Sequence, residues 1–429
     1  MTFFVISMVT MLLLILGGAW IAVAVGVGGV MALIPKIGDT VFNLIGTLSF
    51  PVVANFTLMA IPMFLFLGEF LGASGIMDRV YGGLRLLLKG LPGELEQTNI
   101  AACGVFAAMA GTSTAGAATM GRVAYPELTR RGYDKKLTLG SVTAGGTLGI
   151  LIPPSTSFIV IGMIAEESVG QLFMAGLFPG ILLMLLFMLY IGVRVSLQPG
   201  LVPPEIEAVG VRERIQGLLQ IWPFLIVMGS VLGTIYLGVA MPTEAAALGG
   251  VGAIVIAVIL RLFTWRKLLD SLLAATRTAA MIFLIIMTAM VTSQALVHYG
   301  IAPAISEYIM GVGSPLTAYL FIVVLYFILG CFFEPTAMVV LTLPMFVPAM
   351  VALGFSKILF GVMVVVTVEI ALLTPPVGLN LFVVHGVTGE KLEDIIKGTS
   401  PFLLGNISLL AILYVWPDIA TWLPRTMFQ

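Results

Sequence analysis

Four places in this chain carry the residue types that break helices. Gly111 to Thr114 and Phe333 to Thr336 are short runs of small and polar residues, and Pro153-Pro154 and Pro375-Pro376 are proline pairs, all inside apolar surroundings. Proline removes an amide donor and clashes with the preceding turn, while serine and threonine compete for backbone groups at helix starts. Backbone that leaves the helix at membrane depth survives only where it is packed inside protein or lines a polar cavity. Half-helix N-termini present positive dipole ends to an anion, and the carbonyls freed at such breaks suit a hard cation such as Na⁺. The chemistry expected is the binding of ions and an anionic solute. Thr112, Ser113, Thr114, Ser155, Pro335, Thr336 and Asn380 are the candidate solute contacts.

Structural alternatives exist for each feature. One proline pair can be a simple kink, and the run from Gly111 to Ala118 could serve close helix packing. Carboxyls at depth are costly and are usually functional. Glu334 sits at the second polar tip and Glu369 lies five residues before Thr374, so both are candidates for cation-site electrostatics or for supporting the tips by hydrogen bonds. Glu69 and Glu244 fall near helix ends, where capping or interfacial exposure competes. His298 and His385 fall near the ends of apolar runs, which favours the interface over a proton relay. There is no phosphate-binding G-x-x-x-x-G-K-[ST] loop, no G-x-S-x-G elbow and no H-E-x-x-H, so no enzyme, no nucleotide cofactor and a gradient as the energy source are expected.

The elements that must position these groups are membrane helices. Of 429 residues, 60% are hydrophobic and 10% charged, against about 25% charged in ordinary soluble domains. Lys plus Arg (20) nearly balance Asp plus Glu (21), which leaves no basic face for nucleic acid. Cys103 and Cys331 stand alone, without a CxxC, and read as small buried apolar side chains rather than a zinc or disulfide framework. The apolar run Phe3 to Ile34 reads as retained membrane chain, Phe3–Gly17 and Ile21–Ile34 making two short or tilted crossings.

A bilayer core needs roughly 20 apolar residues per helix. The apolar runs predict crossings at Phe50–Ala73, Leu172–Val193, Ile215–Leu237, Thr243–Leu260, Leu272–Val297 and Phe402–Trp416. Asn99–Tyr125 and Leu316–Met350 read as helical hairpins entering and leaving by one face, and Leu137–Ala165 and Ile358–Val387 as helices broken at their prolines. With the hairpins re-entrant, all 20 basic residues but Lys36, Lys357 and Arg425 fall on one side, Arg277 among them; that side is cytoplasmic by the positive-inside rule.

One internal offset, 222 residues, pairs Thr114-Ala115 with Thr336-Ala337, Pro126 with Pro348, Pro153-Pro154 with Pro375-Pro376 and Pro179 with Pro401. The chain reads as two similar halves, 1–197 (hairpin 99–125, broken helix 137–165) and 215–429 (hairpin 316–350, broken helix 358–387), around a cytoplasmic linker, 198–214. Five crossings per half make the repeats inverted in the membrane, an arrangement that signals a secondary transporter with its site near the midplane. The expected fold is all-α, with a re-entrant hairpin and a proline-broken helix in each half.

Leu148 to Ser155 (LGILIPPS), Met241 to Ala247 (MPTEAAA), Glu334 to Ala337 (EPTA) and Glu369 to Phe382 (EIALLTPPVGLNLF) resemble motifs of the large membrane subunit of tripartite ATP-independent periplasmic (TRAP) transporters, and the likeness spans essentially the whole chain. The resemblance implies Na⁺-driven uptake of an organic acid, such as a C4-dicarboxylate or sialic acid, across a bacterial inner membrane by an elevator mechanism. It also implies two partners, a periplasmic binding protein that delivers the solute and a small membrane subunit. Because the chain opens directly on its first repeat, the small subunit is expected as a separate polypeptide. Two or more Na⁺ sites are implied. The second would use Gly330, Ala371, Thr374 and Val377, with Ala371 standing where glycine is common in the motif. By the 222 offset the first would use Ala108, or Thr112 and Ser113 nearby, with Gly149, Ile152 and Ser155. The competing readings are a stand-alone ion-coupled carboxylate carrier, a Na⁺/H⁺ antiporter with Glu334 or Glu369 carrying the proton, and a membrane-embedded enzyme or scaffold.

Overall fold

A computed structural model describes residues 1–203, 210–311, 314–330 and 333–427. Cys331 and Pro204 lie outside the described residues. The elements are helical throughout: α1 (Thr2–Leu16), α2 (Ile21–Ile37), α3 (Thr40–Val53), α4 (Ala60–Ser74), α5 (Ile76–Leu88), α6 (Glu94–Ala110), α7 (Ser113–Arg130), α8 (Lys135–Leu151), α9 (Thr156–Ala165) and α10 (Val169–Leu197) in the first half. The second half contains α11 (Val211–Tyr236), α12 (Pro242–Ile259), α13 (Trp265–His298), α14 (Ile301–Gly311), α15 (Pro315–Gly330), α16 (Pro335–Ala352), α17 (Lys357–Leu372), α18 (Leu379–Thr388), α19 (Leu392–Thr399), α20 (Leu403–Val415) and α21 (Asp418–Arg425). Among the described residues seven spans are long and apolar enough to cross a bilayer, α8 with α9 and α19 with α20 each counting as one, and the bent pair α4 and α5 makes an eighth if it is one span. The molecule is an all-α, multi-pass integral membrane protein.

Besides α3, α14, α19 and α21, which the apolar runs do not place, three segments differ from the sequence reading. The run Phe50–Ala73 is not one helix, because the chain unwinds at 54–59, where the Asn55 side chain accepts a hydrogen bond from the Leu58 amide at 3.1 Å. The stretch 75–98, between the expected crossing Phe50–Ala73 and the expected hairpin Asn99–Tyr125, contains α5, which leaves α4 at 74° through Gly75, at a φ of +91°. Ile76, Met77, Val80 and Gly83 are its buried face, with Asp78, Arg79 and Arg85 interleaved. A search for continuously apolar runs passes over such an amphipathic helix, whose signal is periodicity. Finally, α13 extends the run Leu272–Val297 by seven residues at its start, to Trp265, as Thr264 caps it by accepting from the Lys267 amide at 3.3 Å.

The interior is built on α8 and α17. Every residue from Leu137 to Leu151 and from Leu359 to Leu372 is buried, so both helices are surrounded on all sides by protein. Their starts correspond at the 222 offset, and so do their caps: Asp134 accepts from the Leu137 amide at 2.9 Å and Ser356 from the Leu359 amide at 3.1 Å. The lysines opening the two helices also act alike. Lys135 pairs with Glu390, just beyond the end of α18, and Lys357 donates to the Ala165 carbonyl, the last residue of α9, at 2.9 Å. Lys135, followed by a hydrogen bond from the Tyr125 hydroxyl, holds the Glu390 carboxyl below its ordinary range. Each half thus grips the broken helix of the other.

Packing around α8 is close enough to reach backbone contact. A methyl group at Gly398 on α19 would stand 2.1 Å from the Lys136 carbonyl oxygen, and one at Gly140 would stand 2.1 Å from the Gly398 carbonyl. Gly398→Leu is therefore expected to cost about 1–3 kcal/mol through overpacking. Gly46→Ala, on α3 with open space around it, is expected to stay within about 0.5 kcal/mol. Melting of the detergent-solubilised variants checks this contrast, and equal melting temperatures would mean that α8 and α19 do not touch in this way.

Candidate functional site

The four breaks meet one another. After α6 ends at Ala110, Gly111 takes a φ of +62° and turns the chain; its carbonyl is taken up by the start of α9, accepting from the Thr156 amide at 3.2 Å and the Thr156 hydroxyl at 2.9 Å. The α8–α9 break is closed by the Ser155 hydroxyl, which donates to the Ile150 carbonyl at 2.6 Å. Across the halves, Asn380 at the start of α18 donates to the Ser113 hydroxyl at 2.7 Å, the first residue of α7. Both proline pairs, Pro153-Pro154 and Pro375-Pro376, are joined by cis peptide bonds.

These elements enclose one side of a cavity of about 1320 Å³, whose other wall is α4 and α13. Thr112, Ser113, Thr114, Pro335 and Thr336, all candidate solute contacts, line it. Ser155 and Asn380 do not: both are buried, Ser155 in the α8–α9 break and Asn380 behind Ser113. The two tips, distant in sequence, face a common space.

The tips are equivalent in position but differ in charge. Glu334 caps α16, its carboxylate accepting from the Thr336 amide at 2.9 Å, the Ala337 amide at 3.2 Å and the Thr336 hydroxyl at 2.9 Å. At the corresponding place in the first half stands Thr112, whose side chain makes no capping bond to α7. The chain's own carboxylate thus occupies the N-terminus of α16, in the manner of the hydrogen-bonded tip support that was one of the two roles expected for Glu334. Glu369, the other supporting acid, is fully buried on α17 away from the cavity, with Asn406 of α20 donating to it at 3.0 Å.

The candidate ion ligands fall into two clusters. A methyl at Gly149 would lie 2.6 Å from the Thr112 carbonyl oxygen and 3.3 Å from the Ser113 amide, so the end of α8 touches the first tip. Ala108, Ile152 and Ser155 are buried. In the second cluster a methyl at Gly330 would lie 2.1 Å from the Ala371 side chain, which brings the end of α15 against the end of α17. Thr374 and Val377 follow half-buried in the break, the Thr374 hydroxyl donating to the Ile370 carbonyl. The side-chain oxygens these residues carry include the hydroxyls of Ser113, Ser155 and Thr374, those of Ser155 and Thr374 donating to the Ile150 and Ile370 carbonyls.

Sequence reasoning missed Arg277. It was placed with the cytoplasmic basic residues, yet it stands 12 residues, about 18 Å, along α13 and lines the cavity beside Thr278. It is the one cation among the described lining residues, against the carboxyls of Glu69, Asp78 and Glu334. Its signal was present as an arginine near the start of the apolar run Leu272–Val297, where intramembrane charge marks a site. Thr156 and Ser157, the start of α9, also face the cavity.

A family model described as "Tripartite ATP-independent periplasmic transporter, DctM component" matches residues 8–419. The chain is 35% identical over 410 residues to a C4-dicarboxylate TRAP transporter large permease protein of Pseudomonas aeruginosa, covering 94% of each. It is 32% identical over 402 residues to the isethionate TRAP transporter permease protein of Oleidesulfovibrio alaskensis, covering 93% of this chain and 63% of that one. Among solved structures, the YdaH transporter of Alcanivorax borkumensis aligns with a TM-score of 0.63 at 14% identity, covering 90% of this chain and 91% of that one, a likeness of fold.

Because both tips line one cavity, single cysteines at Thr112 and Thr336, in a background with Cys103 and Cys331 replaced by serine, are expected to react with a membrane-impermeant thiol reagent from the same side of the bilayer. A cysteine at the buried Thr143 reacts far more slowly. Modification of the two tips from opposite sides would contradict a shared cavity.

Proposed function

This chain belongs to the DctM component family of the tripartite ATP-independent periplasmic (TRAP) transporters, and from that premise we propose that it takes up a carboxylate-bearing organic solute by Na⁺ symport across a bacterial inner membrane. It works with a periplasmic binding protein, which delivers the solute, and with a small membrane subunit supplied as a separate chain; the family's description as tripartite and periplasmic supports both partners. The two curated relatives named above are described as transporters of organic anions, C4-dicarboxylate and isethionate.

The observation that carries the reading is the layout of charge in the cavity. An anion in this cavity is drawn by Arg277 and by the N-terminus of α7, which both line it. Glu334 keeps the opposite tip negative, which fixes the orientation of the solute. The Thr112–Gly149 and Gly330–Ala371 clusters each take one Na⁺, held by carbonyl and hydroxyl oxygens from the tip and the neighbouring broken helix. Filling them orders both tips and so completes the anion site. Ion binding then gates solute binding.

A tenfold Na⁺ gradient contributes about 1.4 kcal/mol per ion. Each net charge moved inward adds about 2.3 kcal/mol per 100 mV of potential. Two or more Na⁺ per solute therefore drive strong accumulation. In the transport step, the two repeats are inverted, their hairpins are re-entrant, and α6–α9 with α15–α18 slide as one body past α2, α4 and α11–α13. The cross-half ties through Lys135, Lys357 and Asn380 support such a body.

Proteoliposomes containing both membrane subunits and loaded binding protein are expected to lose uptake when K⁺ replaces external Na⁺; undiminished uptake would reject symport. Uptake that persists without the binding protein would instead favour a stand-alone carrier. Arg277→Gln is expected to raise the solute KM about 10–100-fold, the equivalent of one charged hydrogen bond. An unchanged KM would remove Arg277 from the anion site.

A further inference from the structure

Asn380 is a buried polar side chain that does not line the cavity. It is 0% exposed. Its amide nitrogen donates to the Ser113 hydroxyl at 2.7 Å and approaches the Thr143 carbonyl at 3.4 Å, while its Oδ1 is buried with no hydrogen-bond partner. Asn380 follows the Pro375-Pro376 break by four residues and lies three beyond Val377, a candidate ligand of the second ion cluster. Ser113 opens α7 at the first tip and belongs to the first ion cluster. Asn380 therefore ties the segment that follows the second cluster to a residue of the first, a bond between halves that spans 267 residues of sequence.

We infer that Asn380 is a positioning residue that couples occupancy of the two cation clusters. The inference rests on the Na⁺-symport reading above. A serine hydroxyl has one proton and two lone pairs. Accepting from Asn380 takes one lone pair and fixes the rotamer of Ser113, leaving the other lone pair for a cation. Movement at the Pro375-Pro376 break when the second cluster fills shifts α18, and with it the donor that sets Ser113. The reverse holds equally, since coupling between two binding equilibria is reciprocal. The orphaned Oδ1 marks the same junction: a buried acceptor without a donor is rare in a finished structure, and an amide oxygen is a good ligand for a hard cation.

The link is made once. At the 222 offset Ser113 corresponds to Pro335 and Asn380 to Phe158, and neither of those side chains can make the bond. No second copy of this amide bridge exists to compensate for its loss.

The test is uptake as a function of Na⁺ concentration in proteoliposomes containing both membrane subunits and loaded binding protein. The intact protein shows sigmoidal dependence. In Asn380→Leu the Hill coefficient falls toward one and the half-saturating Na⁺ concentration rises roughly three- to tenfold, the equivalent of one lost hydrogen bond, while the rate at saturating Na⁺ stays near that of the intact protein. Asn380→Ser, a smaller and still polar change, serves where Asn380→Leu does not fold, and is expected to move the same two parameters. Combining either with Ser113→Ala adds less than the sum of the single effects, because both remove one bond. An unchanged Hill coefficient in both Asn380 variants, or additive effects with Ser113→Ala, would overturn the coupling role. Uptake by the intact protein that ignores Na⁺ would instead overturn the symport reading itself.

Discussion

A peptide group that leaves its helix inside a bilayer has no water to bond, and an unmade hydrogen bond there costs several kcal/mol. This chain breaks its helices at four such places and satisfies them partly with one another and partly from within. The Gly111 carbonyl is taken up by Thr156, the Ser113 hydroxyl by Asn380, the α16 N-terminus by Glu334, and the Ile150 carbonyl by Ser155. The rest of the architecture follows from the need to keep these groups together and away from lipid. It explains why α8 and α17, which run into the breaks, are buried on every side, and why the helices around them approach to backbone contact at Gly140 and Gly398.

The two halves share a plan and differ in charge. Helix bounds, caps and opening lysines recur at one offset: α7 and α16 begin and end 222 residues apart, and Lys135 and Lys357 each reach across to the far end of the other half's broken helix. At the tips the equivalence stops. Thr112 leaves α7 without a side-chain cap, while Glu334 fills that role for α16. A cavity with two identical N-termini would meet an anion in the same way at both tips; in this one the α16 tip carries a carboxylate and the α7 tip carries none. Approximate symmetry supplies the framework, and the departures from it supply polarity.

The membrane class, the positions of the breaks and the internal offset were legible in the sequence because they depend on local chemistry. Proline and glycine end a helix wherever they stand, and a chain with 10% charged residues cannot cover itself against water. The same local reasoning failed for α5, whose apolar face shows only as a period, and for the break at 54–59, where no proline pair marks the unwinding. Nor did it show that Arg277 faces the cavity, because a count of charges near span ends does not tell which face of a long helix an arginine occupies.

The sequence alone therefore determined what kind of protein this is and where its backbone leaves the helix. Only the tertiary structure decided which break faces which: that Ser113 meets Asn380, that Asn380 and Ser155 stand behind the cavity wall and not in it, and that the chain's own Glu334 already fills one of the two N-termini. These are contacts between residues tens to hundreds of positions apart. Local propensity fixes a residue's backbone conformation, but its neighbours are set by how whole helices pack, and that information is spread over every side chain in the interface.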